Sequence, residues 1–218
     1  MPTPERTSLE AIVEAARDIL ETQGIAQLTM QAVGSRVGVR APSLYKRVRN
    51  RDTLLRLVTE ATLRDLEEHL GAVPVSADPG ERLGHLLRAM RAFAHSRPAA
   101  YHLIFSNTPA PTRPEPALLA HSAAPLLETA AELAGPDQAL EAARTVTAWA
   151  HGFISMELAH AFNLGGDVER AYEYGMARLA SALTEPGAPA EPGTAAESGA
   201  PAGPGTPAGR DGEGAGGR

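Results

Sequence analysis

The stretch that decides the fold is Thr29-Met30-Gln31-Ala32-Val33-Gly34-Ser35-Arg36-Val37-Gly38-Val39-Arg40-Ala41-Pro42-Ser43-Leu44-Tyr45-Lys46-Arg47-Val48. Thr29 is a good helix N-cap, and Val33 and Val37 recur at the spacing of one helical face. Gly38 breaks this short helix. A second is expected from about Pro42 to Val48, because proline at a first turn gives up an N–H that had no partner there. Leu44 and Val48 face inward, while Ser43, Lys46 and Arg47 face outward. Two short helices joined at a glycine, the second carrying outward polar and basic residues, form the pattern of a helix-turn-helix. A helix so slim can enter a DNA major groove, about 12 Å wide, and present side chains to base edges.

Upstream, Leu9, Ile12, Val13, Ala16, Ile19 and Leu20 form the apolar stripe of a first helix. Thr7 and Glu10 read as its capping box, and Gly24 as its stop. Downstream, Asn50 caps a long helix from about Arg51 to Leu70, carrying Leu54, Leu55, Val58, Ala61 and Leu66. A loop with two prolines spans 71–80. Helices are expected near 80–96, 99–106, 115–134, 137–163 and 167–184, the last capped by Asp167. No run alternates with period two, so the fold class is all-α: a three-helix helix-turn-helix domain and a helical C-terminal domain. The expected organisation is 1–55 for DNA binding, 56–184 for ligand binding and dimerisation, and 185–218 as a tail. The final 34 residues hold ten Gly and six Pro and no aliphatic larger than Ala. Such a segment buries too little apolar surface to offset its ordering entropy and reads as disordered.

The net charge of -6 conceals an asymmetry. Residues 1–51 carry a net +3 and residues 52–218 a net -9. From Arg36 to Arg51 there are six basic residues and no acidic one, which suggests a local contact with a polyanion or, equally, a solvated face. Arg predominates over Lys, with Lys46 the single lysine, and the Ala, Gly and Pro richness suggests a high-GC genome. Cysteine is absent, which excludes disulfides, thiolate metal sites and a cysteine nucleophile. No secretory leader and no transmembrane run are read, so the expected location is cytoplasmic.

Residues 9–55 resemble the DNA-binding domain of the tetracycline-repressor (TetR) family. The matching features are Thr29 opening the second helix, Gly38-Val39 at the turn, the Leu44-Tyr45 pair in the reader helix and Arg51-Asp52 opening the fourth helix. The resemblance implies phosphate contacts from Thr29, Tyr45 and Arg51. It implies base or groove contacts from Arg40, Ala41, Pro42, Ser43 and Lys46. Arg47-Val48 stands where the family commonly has His-Phe, and Arg47 at that place could add a phosphate contact. Duller roles stand beside these: Thr29 as a cap only, Tyr45 as a core-edge residue, Pro42 and Ala41 as turn-shapers, Arg36 and Arg49 as solvated charges.

The resemblance further implies a helical body that forms a homodimer and holds a small-molecule effector. Val146-Thr147-Ala148-Trp149-Ala150-His151-Gly152-Phe153-Ile154-Ser155-Met156 resembles the Trp-His-Gly-type C-terminal domain of some of these regulators. Gly152 and Ala150 there would admit a close helix neighbour. Helices 137–163 and 167–184 would pair with their mates in a four-helix interface. The candidate pocket residues are Met90, Phe93, Tyr101, Phe105, Trp149, Phe153 and Met156, most of which could equally be plain core. A hydrophobic, cationic or planar ligand would suit this acidic domain. All seven His lie after residue 68 at irregular spacing, so neither a metal nor a cofactor is expected. The function read is a regulator on a palindromic double-stranded DNA operator, released as a repressor by its ligand, with no enzymatic activity and no membrane partner. The long helix 51–70 would be its lever. An activator, a ligand-independent repressor and a helical enzyme built on His151 and Glu157 are the rivals.

Overall fold

The computed structural model describes residues 8–106, 109 and 112–185. The expected disordered tail lies outside these residues, except Glu185. Among the described residues the chain is helical throughout, without a strand. The helices are α1 (Leu9–Gln23), α2 (Met30–Val37), α3 (Ala41–Leu44), α4 (Arg51–Gly71), α5 (Pro79–Ser96), α6 (Pro98–Phe105), α7 (Pro116–Ala134), α8 (Ala139–Leu158) and α9 (Val168–Thr184).

Local chemistry sets most boundaries. Ser8 Oγ accepts from the Ala11 N–H at 3.1 Å. The N-cap of α1 is therefore Ser8 and not Thr7, and Ala11 replaces Glu10 at the third position, so no capping box closes. That register also leaves Leu9 at the helix rim, 40% exposed. Thr29, Asn50 and Asp167 cap α2, α4 and α9 as expected, accepting from Ala32, Thr53 and Arg170. Gly38 ends α2 at φ +77°. Val39 N–H then bonds Gly34 O at 2.8 Å and Gly38 N–H bonds Ser35 O at 3.2 Å, the paired closure that a left-handed residue permits.

Two helices end earlier than the sequence suggests. The reader helix runs only from Ala41 to Leu44, and Tyr45 to Arg47 continue as turns in which Arg47 N–H and Val48 N–H share Leu44 O. Helix α8 stops at Leu158 rather than 163. His160 adopts φ +51°, and Ala161 N–H turns back to Met156 O at 2.8 Å. A non-glycine residue in that conformation leaves no breaker to read.

Burial separates two apolar cores. The first joins α1–α3 and the start of α4 through Ile12, Ile19, Leu28, Val33, Leu44 and Val48, with Leu54 and Val58 from α4. The second joins the rest of α4 to α5–α9 through Leu66, Leu86, Met90, Leu126, Ile154 and Tyr172. The 55/56 division thus falls inside α4, which serves both cores. Helix α6 does the same by faces: Ala100 and Leu103 belong to the first core, Tyr101 and Phe105 to the second.

Candidate nucleic-acid interface and effector cleft

Leu44 and Val48 are fully buried and pin α3 to its domain. Gly34 permits the close approach of α2: a Cβ there would lie 2.9 Å from Val39 O and 3.2 Å from Ala41 N. Once these residues are fixed, Arg40, Pro42, Ser43, Tyr45, Lys46 and Arg47 all face solvent, with Ala41 half-buried. Tyr45 is 53% exposed and makes no hydrogen bond or ring contact among the described residues. Its ring is not among the residues packed in the buried apolar cluster of this domain. Thr29 accepts from Ala32 N–H at 3.1 Å, so its hydroxyl proton remains free to donate outward. Capping and phosphate binding are compatible in one side chain.

The basic run divides once folded. Arg36 pairs with Asp18 at 3.4 Å, on the flank of α1 and α2. Arg51 turns inward: its Nε donates to Leu28 O and its Nη2 to Ile25 O, both at 2.7 Å. The reason is local. The 3₁₀ turn Ile25–Gln27 and its C-cap Leu28 present carbonyls beside the start of α4; Ile25 O already accepts from Leu28 N–H, and the guanidinium bonds it and Leu28 O together. Arg51 thus staples this turn to α4, and its backbone N–H at the first position of the helix is left to meet a phosphate. Arg40, Lys46, Arg47 and Arg49 remain as the exposed cations around α3.

The candidate pocket residues separate in space. An outer cleft of about 450 Å³ between α7 and α8 is lined by Phe105, Ala123, Leu126, Thr147 and His151 among others. An inner chamber of about 150 Å³ shares the first four and adds Leu63, Leu66 and Met90. Met90 and Phe105 therefore line it. Tyr101 is fully buried, and its hydroxyl meets His151 Nδ1 at 3.3 Å. Phe93 is core, tilted against the His69 ring. Trp149 and Phe153 point the other way, into an aromatic cluster with Tyr172, where Trp149 stacks at 5.2 Å. Met156 is 47% exposed on α8. Periodicity identifies these residues as apolar and helical but cannot separate the α9 side of α8 from the α7 side.

His151 lines the outer cleft and, with Leu63, Leu66, Ala123, Leu126, Arg144 and Thr147, is absent from the sequence-read pocket. Its ring stacks on Phe105 at 4.0 Å. Burial, with His102 nearby, lowers its pKa below the ordinary value, so it is neutral at neutral pH. Burial pushes the Tyr101 hydroxyl up, keeping it protonated. Within the chain, the close approach of α8 and α9 is made at Gly175. Gly152 has open space where a Cβ would stand, whereas a Cβ on Gly175 would overlap the Trp149 ring. Among the described residues, no three His, Asp or Glu side chains gather as a metal site, and no helix is long and apolar enough to cross a membrane.

Two ties run from α1 to the elements shared by both cores. Arg17 pairs with Asp65 on α4 and, at 3.3 Å, with Glu14. One helical turn later, Glu21 accepts from Ala99 N–H at 3.0 Å and Ala100 N–H at 2.9 Å, at the start of α6. The carboxylate satisfies two first-turn donors and meets the positive end of the helix.

Residues 12–58 match the family model of bacterial regulatory proteins of the tetR family, and residues 83–179 match that of the tetracyclin repressor-like C-terminal domain. The chain belongs to the TetR family. An uncharacterized HTH-type transcriptional regulator of Mycobacterium tuberculosis, Rv0681, is 28% identical over 157 residues, covering 71% of this chain and 72% of its own. A possible TetR family transcriptional regulator from Streptomyces coelicolor A3(2) superposes with a TM-score of 0.62 at 21% identity, over 80% of this chain and 97% of that one. BioQ, solved with its double-stranded DNA operator, superposes with a TM-score of 0.60 at 23% identity, over 81% and 97%. Membership in the TetR family makes this chain a DNA-binding transcriptional regulator, with α1–α3 as its helix-turn-helix domain.

Proposed function

We propose that this regulator is a homodimeric repressor whose α3 enters the major groove of a palindromic operator and which a small molecule in the α7–α8 cleft releases. The observation that carries the release is the position of α6. One face lies in the reader core and the other in the body core, its first turn is held by Glu21, and its last residue, Phe105, walls the cleft. A ligand that displaces Phe105 moves the helix on which α1 rests. It lowers DNA affinity by its differential binding to the two arrangements. Helix α4 is the second lever, as the sequence suggests, so the domain unit 56–184 acts through two connections.

The proposed DNA contacts are phosphate bonds from the Thr29 hydroxyl, Tyr45, Arg47 and the start of α4 at Arg51, with Arg40, Ala41, Pro42, Ser43 and Lys46 in the groove. Dimerisation would use α8 and α9, whose outer faces carry exposed Met156, open Gly152 and exposed Tyr174. A dimer is needed because one short reader helix touches too few bases, whereas two, about one DNA turn apart (~34–36 Å), read a palindrome. No catalytic role is proposed. The test is a reporter driven by the chain's own upstream intergenic DNA in cells with and without the protein. Higher expression without it supports a repressor, whereas lower expression identifies an activator.

A further inference from the structure

The cleft has an uneven chemistry. Its two chambers are walled by Leu, Ala, Phe, Met and Ile side chains, with Ser122 and Thr147 as small hydroxyls. Among the described residues no carboxylate lines either chamber, and the single formal charge is Arg144, on the α8 rim of the outer chamber. Among the described residues Arg144 has no ion-pair partner, whereas three arginines on the α5 side of the body are each held by carboxylates. Arg88, in the cleft between α5 and α9, is held by Glu173 at 2.6 Å. Arg91 is held by Glu157 and Glu169, and Arg82 by Glu128 and Glu132. What sets Arg144 apart is its place: a cation without a counter-ion at the mouth of an apolar cavity.

His151 lies seven residues further along the same face of α8 and sets the polarity there. Tyr101 Oη lies 3.3 Å and Ser155 Oγ 3.5 Å from its Nδ1, and burial favours the neutral ring, which adds no charge to the lining. Among the described residues the rim therefore offers a cation and no anion. Of the hydrophobic, cationic or planar ligands that the acidity of the domain suggests, this lining disfavours the cationic one. The acidic residues stand outside the cleft, and a buried cation would find no partner in its lining.

We infer that the α7–α8 cleft binds an amphipathic organic carboxylate, with its apolar body against Leu63, Leu66, Met90 and Leu126 and its carboxylate at Arg144. The inference rests on reading the body as an effector domain. The outer chamber alone, about 450 Å³, falls within the ~300–1,000 Å³ typical of small-molecule sites. Guanidinium and carboxylate match as a two-pronged hydrogen-bonded pair, and the apolar wall supplies the remaining affinity.

The test is calorimetric titration of the full-length protein with three probes of equal chain length: decanoate, decanol and decyltrimethylammonium. Decanoate should bind most tightly and decyltrimethylammonium most weakly. Arg144→Gln should weaken decanoate about tenfold and leave decanol unchanged. Ala123→Trp, which fills the junction of the two chambers, should abolish binding of both. Equal or tighter binding of the ammonium probe would overturn the inference, as would an Arg144→Gln protein that holds decanoate as well as the parent. Failure of all three probes, with Leu127→Asp or Leu140→Asp dissociating an oligomer, would show that a second copy covers the cleft. A gel shift on the upstream DNA, run in parallel, keeps the two readings apart. Decanoate binding without any DNA shift would count against the regulator reading alone.

Discussion

The reader region and the body solve opposite problems with the same element. In α1–α3 a small apolar core holds one short helix still, so that its polar residues can face out. In α5–α9 a larger core is left incomplete between α7 and α8, and its apolar residues face a cavity. DNA is a regular polyanion, so the contacts proposed for the reader sit at fixed offsets between Thr29 and Arg51. The effector proposed for the body would be recognised by the shape of a space between helices far apart in sequence. Function is written locally in one region and only after folding in the other.

The sharpest challenge to this contrast is Leu44→Ala. Emptying a fully buried leucine in the reader core costs about 2–5 kcal/mol and should abolish operator binding. Because α4 and α6 serve both cores, thermal unfolding should remain a single transition at lower Tm. A body transition left at its original temperature would separate the two regions. Glu21→Ala comes next. It removes the acceptor of two N–H groups at the start of α6, one of them on buried Ala100. The expected loss is about 1–3 kcal/mol of stability, read by chemical denaturation, together with weaker operator binding. Lys46→Ala should leave Tm unchanged and weaken operator binding. If Lys46 meets one phosphate, the slope of log K against log salt should fall by about 0.9. Tyr45→Phe should cost operator binding about 0.5–1.5 kcal/mol without a change in Tm.

The smallest effect concerns pH. His151 has its folded pKa held below the ordinary value of 6.5 by burial. As pH falls, the unfolded chain takes the proton first. The stability from the neutral ring is therefore complete above about pH 6.5 and is lost as pH drops through the folded value. His151→Asn should flatten the fall of Tm between pH 7 and 5. An unaltered pH profile would remove His151 from the account.

The legibility of the molecule follows the same contrast. The caps Thr29, Asn50 and Asp167, the turn at Gly38 and the inward pair Leu44 and Val48 were all readable, because each depends on neighbours within a few residues. The one-residue error at Ser8 and the overlong α8 have local causes too, but ones that leave no signature: two adjacent hydroxyl residues, and a left-handed histidine. Arg51 was unreadable in another sense. Its charge suggested phosphate, yet its guanidinium bonds two carbonyls that lie more than twenty residues upstream. The pocket was the least legible. Phe105 and Trp149 look alike by composition and spacing, and only the packing of α7 and α9 on opposite sides of α8 assigns one to the cleft and the other to the core. The role of α6 needed the structure as well, since eight residues with alternating loyalties resemble an ordinary apolar helix.

The most direct test is operator binding, by fluorescence anisotropy on the upstream DNA, for the parent, Ala123→Trp, Glu21→Ala and the double variant. A tryptophan at Ala123 fills the cleft as a ligand would and touches nothing in the reader. Coupling through α6 predicts that Ala123→Trp weakens operator binding by about 5–150-fold, and that the same substitution has little further effect once Glu21 is removed. Unchanged affinity in Ala123→Trp, or an undiminished effect in the double variant, would contradict the claim that α6 joins cleft to reader.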